Sequence, residues 1–125
     1  MKVIKNFKYT KEHEWINVSD NFATIGITDF AQGELGDIVF VELPNIEDSF
    51  LKDDVLGTVE AVKTVADLYI PVSGKVIAVN KDLESNPELI NSNAYDKGWI
   101  IKIELKNPSE IDTLLDSDQY EELIK

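Results

Sequence analysis

The sequence has no cysteine and no arginine, and only one histidine and one methionine in 125 residues. Without thiols, structural disulfides, thiolate metal sites and a thiol nucleophile are excluded, and a reducing compartment is expected. With His13 as the lone imidazole, a multi-histidine centre is impossible and only carboxylates remain for hard cations, so no metal site is expected. Positive charge is also scarce: 24 Asp and Glu against 12 Lys give a net charge of −12. Such a surface repels phosphate backbones and anionic headgroups, which argues against nucleic-acid and membrane-surface roles. It suits steering toward partners with basic rims, and it serves plain solubility equally well. No apolar run approaches the roughly 18 to 20 residues of a membrane span. The opening MKVIKNFKY carries neither a long apolar stretch nor an arginine-rich amphipathic pattern, so the expected location is cytoplasmic.

What remains is a chain long enough for one domain, residues 1–125, burying about two thirds of its unfolded surface. Strand patterns dominate: HEWINV (13–18), FATIGIT (22–28), DIVFVEL (37–43), VLGTVEAV (55–62), TVADLYI (64–70), GKVIAVN (74–80) and GWIIKIEL (98–105). They are short, rich in β-branched and aromatic residues, and bounded by Gly, Pro, Asn or Asp, which predicts a mainly β sandwich or barrel. Helical pieces are few. Thr28 can cap a short helix through Asp29 to Leu35 that Gly36 closes, and Asn86-Pro87-Glu88 opens another, with proline at its first position. A helical tail at about 108–125 carries Ile111, Leu114, Leu115, Tyr120, Leu123 and Ile124 at spacings that predict packing by one face against the sheet. An echo between GDIVFVELP (36–44) and GKVIAVNKD (74–82) fits a fold of two related halves.

The residue of greatest interest is Lys63, in the middle of a strand, turn, strand unit at about 55–70. Alternation puts Gly57, Val59 and Ala61 on one face and Thr58, Glu60 and Val62 on the other. No glycine or asparagine marks the turn, so the hairpin is inferred from its flanks. A lysine on a loop tip is commonly plain solvated surface. Here Ala61, Val62, Thr64 and Val65 are small or stiff and leave the amine accessible to a modifying enzyme. Glu60, three residues earlier, is where a ligase can read the site. The return Ile70 to Gly74 gives the hairpin a tight base. This pattern favours an attachment point for a prosthetic arm, which makes the chain a carrier. His13 has no nucleophile beside it in sequence and reads as a hydrogen-bonded structural residue.

Four stretches together resemble the H proteins of the glycine cleavage system, a lipoyl carrier family: YTKEHEWI (9–16), ATIGITDFAQGELGDIVFVELP (23–44), GTVEAVKTVADLYIPVSGKVIAVN (57–80) and LINSNAYDKGWIIKIEL (89–105). They follow the family's order and cover nearly the whole chain. The resemblance implies a hybrid barrel-sandwich domain of the lipoyl/biotinyl type, with short helices and a C-terminal helical segment. It implies lipoic acid joined to Lys63 by a lipoate-attaching enzyme. The partners it implies are a pyridoxal-phosphate glycine decarboxylase, an aminomethyltransferase using tetrahydrofolate, and dihydrolipoamide dehydrogenase. The carrier itself would be no enzyme, with no catalytic residues, and would work as a monomer. Lysine plus an eight-carbon acyl chain makes an arm of about eleven bonds reaching on the order of 14 Å, and such a tether raises effective concentration without tight protein contact.

The resemblance further implies a cleft for the loaded arm, in which Glu14 and Asp67 match the acidic positions that hold the protonated amine. Each also has a plain reading, Glu14 as an outward strand residue and Asp67 as part of the hairpin's spacing. Two positions depart from the family: Glu12 stands where serine is common, and Glu34 where some members carry histidine. Alternatives remain within the same architecture. A relay donating lipoyl groups to other 2-oxo-acid dehydrogenase complexes would use the same lysine. A biotin carrier would place methionine on both sides of it, where this chain has Val62 and Thr64. An autonomous carboxylate hydrolase finds no spaced motif.

Overall fold

The computed structural model describes residues 2–125. Nine strands form two sheets. The larger has six strands in the order β1 (Lys8–Tyr9), β2 (Glu14–Ser19), β3 (Phe22–Ile27), β9 (Ile101–Leu105), β8 (Gly74–Val79) and β5 (Ser49–Phe50). The smaller has three, β4 (Ile38–Glu42), β6 (Val55–Ala61) and β7 (Val65–Tyr69), with β6 central. All pairings are antiparallel. Ile16, Ile25, Val76 and Ile103 from the large sheet and Val41, Val59 and Leu68 from the small one are buried in a single cluster, so the sheets pack face to face. Burying each such side chain contributes about 1.5 to 3 kcal/mol. The seven predicted strands are all present, and β4 and β8, the strands of the sequence echo, lie in different sheets. The two-residue strands β1 and β5 are too short to show a period of two and escaped the pattern.

Helix α1 (Asp29–Leu35) follows the expected chemistry. Thr28 Oγ1 accepts the Ala31 N–H, and Gly36 closes the helix at φ 81°, a left-handed value that glycine reaches without a Cβ clash. Two four-residue helices, α2 (Asp82–Ser85) and α3 (Leu89–Ser92), bury Leu83 and Ile90. α2 was not foreseen. Pro87 is not the first residue of α3, because Glu88 is its N-cap. The Leu89 N–H bonds the Asn86 carbonyl at 3.1 Å, which makes Pro87 the second residue of a β-turn, where its fixed φ is equally welcome.

The tail is a 3-10 turn, Pro108–Thr113, followed by α4 (Ser117–Leu123), whose N-cap Asp116 forms a capping box with Gln119. Tyr120 is buried and stacks on Tyr9 at 4.6 Å, joining Trp15 in a second, aromatic cluster against the large sheet. Leu123, expected on the packed face, is exposed, because this seven-residue helix turns inward through Tyr120 and Ile124. Among the described residues no helix is long and apolar enough to cross a membrane.

Candidate functional site

The hairpin formed by β6 and β7 pairs Gly57 with Leu68, Thr58 with Asp67, Val59 with Ala66 and Glu60 with Val65. The next step inward is Ala61, whose N–H donates to the Thr64 carbonyl at 2.8 Å, leaving Val62 and Lys63 as the tip. Neither tip residue is among those with positive φ, so the turn forms without the left-handed backbone that glycine or asparagine usually supplies. The tip is tied down sideways: the Val62 N–H donates to the Asp37 carbonyl at 3.1 Å, just before β4. Lys63 is exposed, and among the described residues its amine takes part in neither ion pair. Val62 is 73% exposed and Val65 58%, so the lysine rises from an uncluttered apolar tip.

Strand periodicity orders the outer face of the small sheet. Phe40, Glu60 and Val65 form one row across β4, β6 and β7, and Glu42, Thr58 and Asp67 the next. Glu60 and Asp67 are both exposed. Two residues beyond Asp67, on the same face of β7, Tyr69 lines a cavity of about 520 Å³. Glu12, Glu14 and Asp53 supply its carboxylates and Leu114 and Leu115 part of its apolar wall. Asp67 itself does not line the cavity; it stands between the cavity and the tip.

Glu14 is the unusual group. It is only 3% exposed, and burial first, then the charges of Glu12 and Asp53, push its carboxyl up to about 7. The Thr10 hydroxyl donates to Oε1, and a backbone bond from Tyr69 acts in the opposite, lowering direction. A carboxyl this buried invites a cation that can share its charge. Glu34 is exposed on α1 and acts on His13 rather than on the cavity. His13 bonds the Tyr120 hydroxyl through Nδ1 at 2.9 Å, consistent with a structural role. Asp53, Tyr69 and the tail residues of the cavity wall were missed from sequence. Tyr69 shares Asp67's face by alternation alone and was within reach of the same reasoning. Asp53 sits at φ 73° in a tight turn, for which the sequence offers only the Asp53-Asp54 pair as a signal.

The family model for the glycine cleavage H-protein matches residues 7–125. The chain belongs to the glycine cleavage H-protein family. Among its relatives, the glycine cleavage system H protein of Staphylococcus haemolyticus is 55% identical over 124 residues, covering 99% of this chain and 98% of that protein. The H protein of Listeria monocytogenes serotype 4a is also 55% identical over 124 residues, covering 99% of both. A crystal structure of the H protein from Mycobacterium marinum superposes with a TM-score of 0.88 at 32% identity, covering 94% of this chain and 95% of that one. The barrel-sandwich fold expected from the resemblance is therefore shared with a solved H protein.

Proposed function

We propose that Lys63 is the attachment point of a lipoyl group and that the chain is a non-catalytic carrier of the glycine cleavage system. The observation that carries this reading is an exposed lysine at the apex of a hairpin whose tip is bonded to Asp37 just before β4, with a cavity along the same sheet face that holds three carboxylates, Glu12, Glu14 and Asp53, beside Lys11 and Lys52. The chain's residues fit the group. A lysine with no ion pair to break, flanked by exposed Val62 and Val65, is open to a lipoate-attaching enzyme, and Glu60 stands where that enzyme can read it. When bound, the dithiolane supplies a disulfide able to take up an aminomethyl group with reduction, to give the carbon up to tetrahydrofolate, and to be reoxidised by dihydrolipoamide dehydrogenase.

The chain's own part is to hold and release a cation. Lys63 and Asp67 are four residues apart, at most about 13 Å because part of the turn lies between them, which would be within the reach of an arm of about 14 Å. A protonated amine at that distance meets Asp67 first, with the cavity of Glu14, Glu12 and Asp53 opening two residues further on. Glu14, buried beside two other carboxylates, gains most from a positive neighbour, and the partly closed cavity limits water at the loaded carbon. Glycine decarboxylase, the aminomethyltransferase and the dehydrogenase then engage the same exposed tip in turn, within a soluble cytoplasmic system.

Intact mass of native material should show a fraction heavier by one lipoyl group, located on Lys63 by peptide mapping. With the three partner enzymes, the lipoylated chain should support glycine-dependent NADH formation, and Lys63→Arg should abolish it with an unchanged thermal transition. Full activity in that variant would refute the assignment, and a biotinyl mass on Lys63 would replace it.

A further inference from the structure

The tip's backbone bond to Asp37 continues the β4–β6 ladder one step past the Ile38–Ala61 pair, and beyond that pair the corner carrying Asp37 is gathered by one side chain. Asn91, in α3, accepts the Ile38 N–H through Oδ1 at 2.9 Å. Its Nδ2 donates to Gln32 Oε1 at 3.0 Å and to the Gly36 carbonyl at 2.9 Å. One partner is a donor and two are oxygens, so only this orientation of the amide satisfies all three. Gln32 is itself fixed, donating through Nε2 to Asp29 Oδ1 at 2.8 Å. The bonds enclose Gly36, Asp37 and Ile38, the turn from α1 into β4. Gly36 is at φ 81° with nothing within 4 Å of where its Cβ would stand, so packing does not hold that residue. The middle residue of the turn is the one whose carbonyl accepts the Val62 N–H.

We propose that Asn91 is the positioning residue for Lys63: through the 36–38 corner it fixes the direction in which the lysine is presented to the enzyme that acylates it. This rests on the reading of Lys63 as the attachment point. In that reaction the Lys63 ammonium gives up a proton to solvent, the amine attacks the acyl carbon of a lipoyl adenylate, the bond to the adenylate oxygen breaks to release AMP, and the nitrogen gives up a second proton to solvent as the amide forms. A tip that samples several directions is competent only part of the time, which raises the apparent KM by the inverse of the competent fraction and leaves the saturated rate unchanged.

The test uses the full unlipoylated chain, lipoate, ATP and a lipoate-attaching enzyme. Asn91→Ala is expected to raise KM for the carrier about threefold to tenfold with kcat within twofold of wild type. Hydrogen exchange at the Val62 amide should quicken at least tenfold while that of the Val59 amide, central in the sheet, is unchanged. Asn91→Asp, which keeps the Ile38 acceptor but sets a carboxylate oxygen against the Gly36 and Gln32 oxygens, should shift both readouts at least as far as Asn91→Ala. Should Asn91→Ala not fold, Gln32→Ala removes one surface partner of the same amide and should shift the same two readouts less. A folded variant with wild-type KM and wild-type Val62 exchange would overturn the proposal, as would a raised KM accompanied by equal quickening at Val59 and Val62, which is what diminished stability of the carrier produces. If the wild-type chain is not acylated on Lys63, the proposed function fails instead, and the exchange measurement still decides whether Asn91 governs the tip.

Discussion

Glu14 lines the cavity at a thermodynamic cost. Its carboxyl titrates near 7 in the folded chain against an ordinary value of 4.5. Between those two pH values the folded state therefore binds more protons than the unfolded state, and this group's contribution to stability falls as pH rises through the window. A shift of that size corresponds to at most about 3 kcal/mol. Urea denaturation of wild type and Glu14→Gln at pH 5 and pH 8 should show the variant gaining on wild type by up to that amount at the higher pH. A difference independent of pH would mean that Glu14 is not held in its raised state. The adjacent His13 is shifted the other way, mainly by burial, and lends its Nδ1 to the Tyr120 hydroxyl. Tyr120→Phe would leave His13 Nδ1 and Thr28 Oγ1 without that partner. The expected loss is about 1 to 3 kcal/mol, read from the denaturation midpoint.

At the scale of elements, the hairpin that bears Lys63 depends on close contact between β4 and β6. A Cβ on Gly57 would lie 2.2 Å from the Glu42 carbonyl oxygen, which is ladder backbone and cannot rotate away. Gly57→Ala should therefore cost at least about 1 to 3 kcal/mol, the range for overpacked sites. Amide exchange should rise in β4 and β6 before it rises in β2 and β3. A variant as stable as wild type would imply that the ladder opens without penalty at this point. The tail is an element of a different kind. Its 3-10 turn and α4 add no sheet pairing beyond the single bridge between Tyr9 and Leu115. Leu114 and Leu115 nevertheless help wall the cavity, so the tail completes the site as well as covering the aromatic cluster.

At the scale of the whole molecule, a net charge of −12 is spread over a scaffold that presents one lysine tip between exposed Val62 and Val65. A partner that must reach this tip approaches an acidic body, so one with a basic rim would be drawn in by long-range attraction that sets the encounter rate. Raising ionic strength from 0.02 to 0.2 M, about a threefold change in screening length, should lower the association rate with each partner enzyme by about tenfold or more, with a smaller change in dissociation. Stopped-flow measurement with the lipoylated chain would check this, and a rate insensitive to salt would assign the negative charge to solubility alone.

The sequence by itself determined most of the elements and the hairpin that carries the lysine proposed as the attachment point. Seven strands were legible because a half-buried strand must alternate, and α1 because Thr28 and Gly36 are the residues that a helix start and a left-handed stop require. Lys63 was legible because two alternating strands flank a short stretch of small or stiff residues that leaves its amine at the turn. Tertiary structure alone decided which distant residues share the cavity. Asp53, Tyr69 and the tail reach Glu14 by the way the two sheets and the C-terminal segment pack, and local pattern carries no information about such meetings. The same packing set Glu14's proton affinity, since desolvation belongs to the assembled cavity and to no stretch of the chain. It also built the bonds from Asn91 through Asp37 to Val62, which join three segments far apart in sequence.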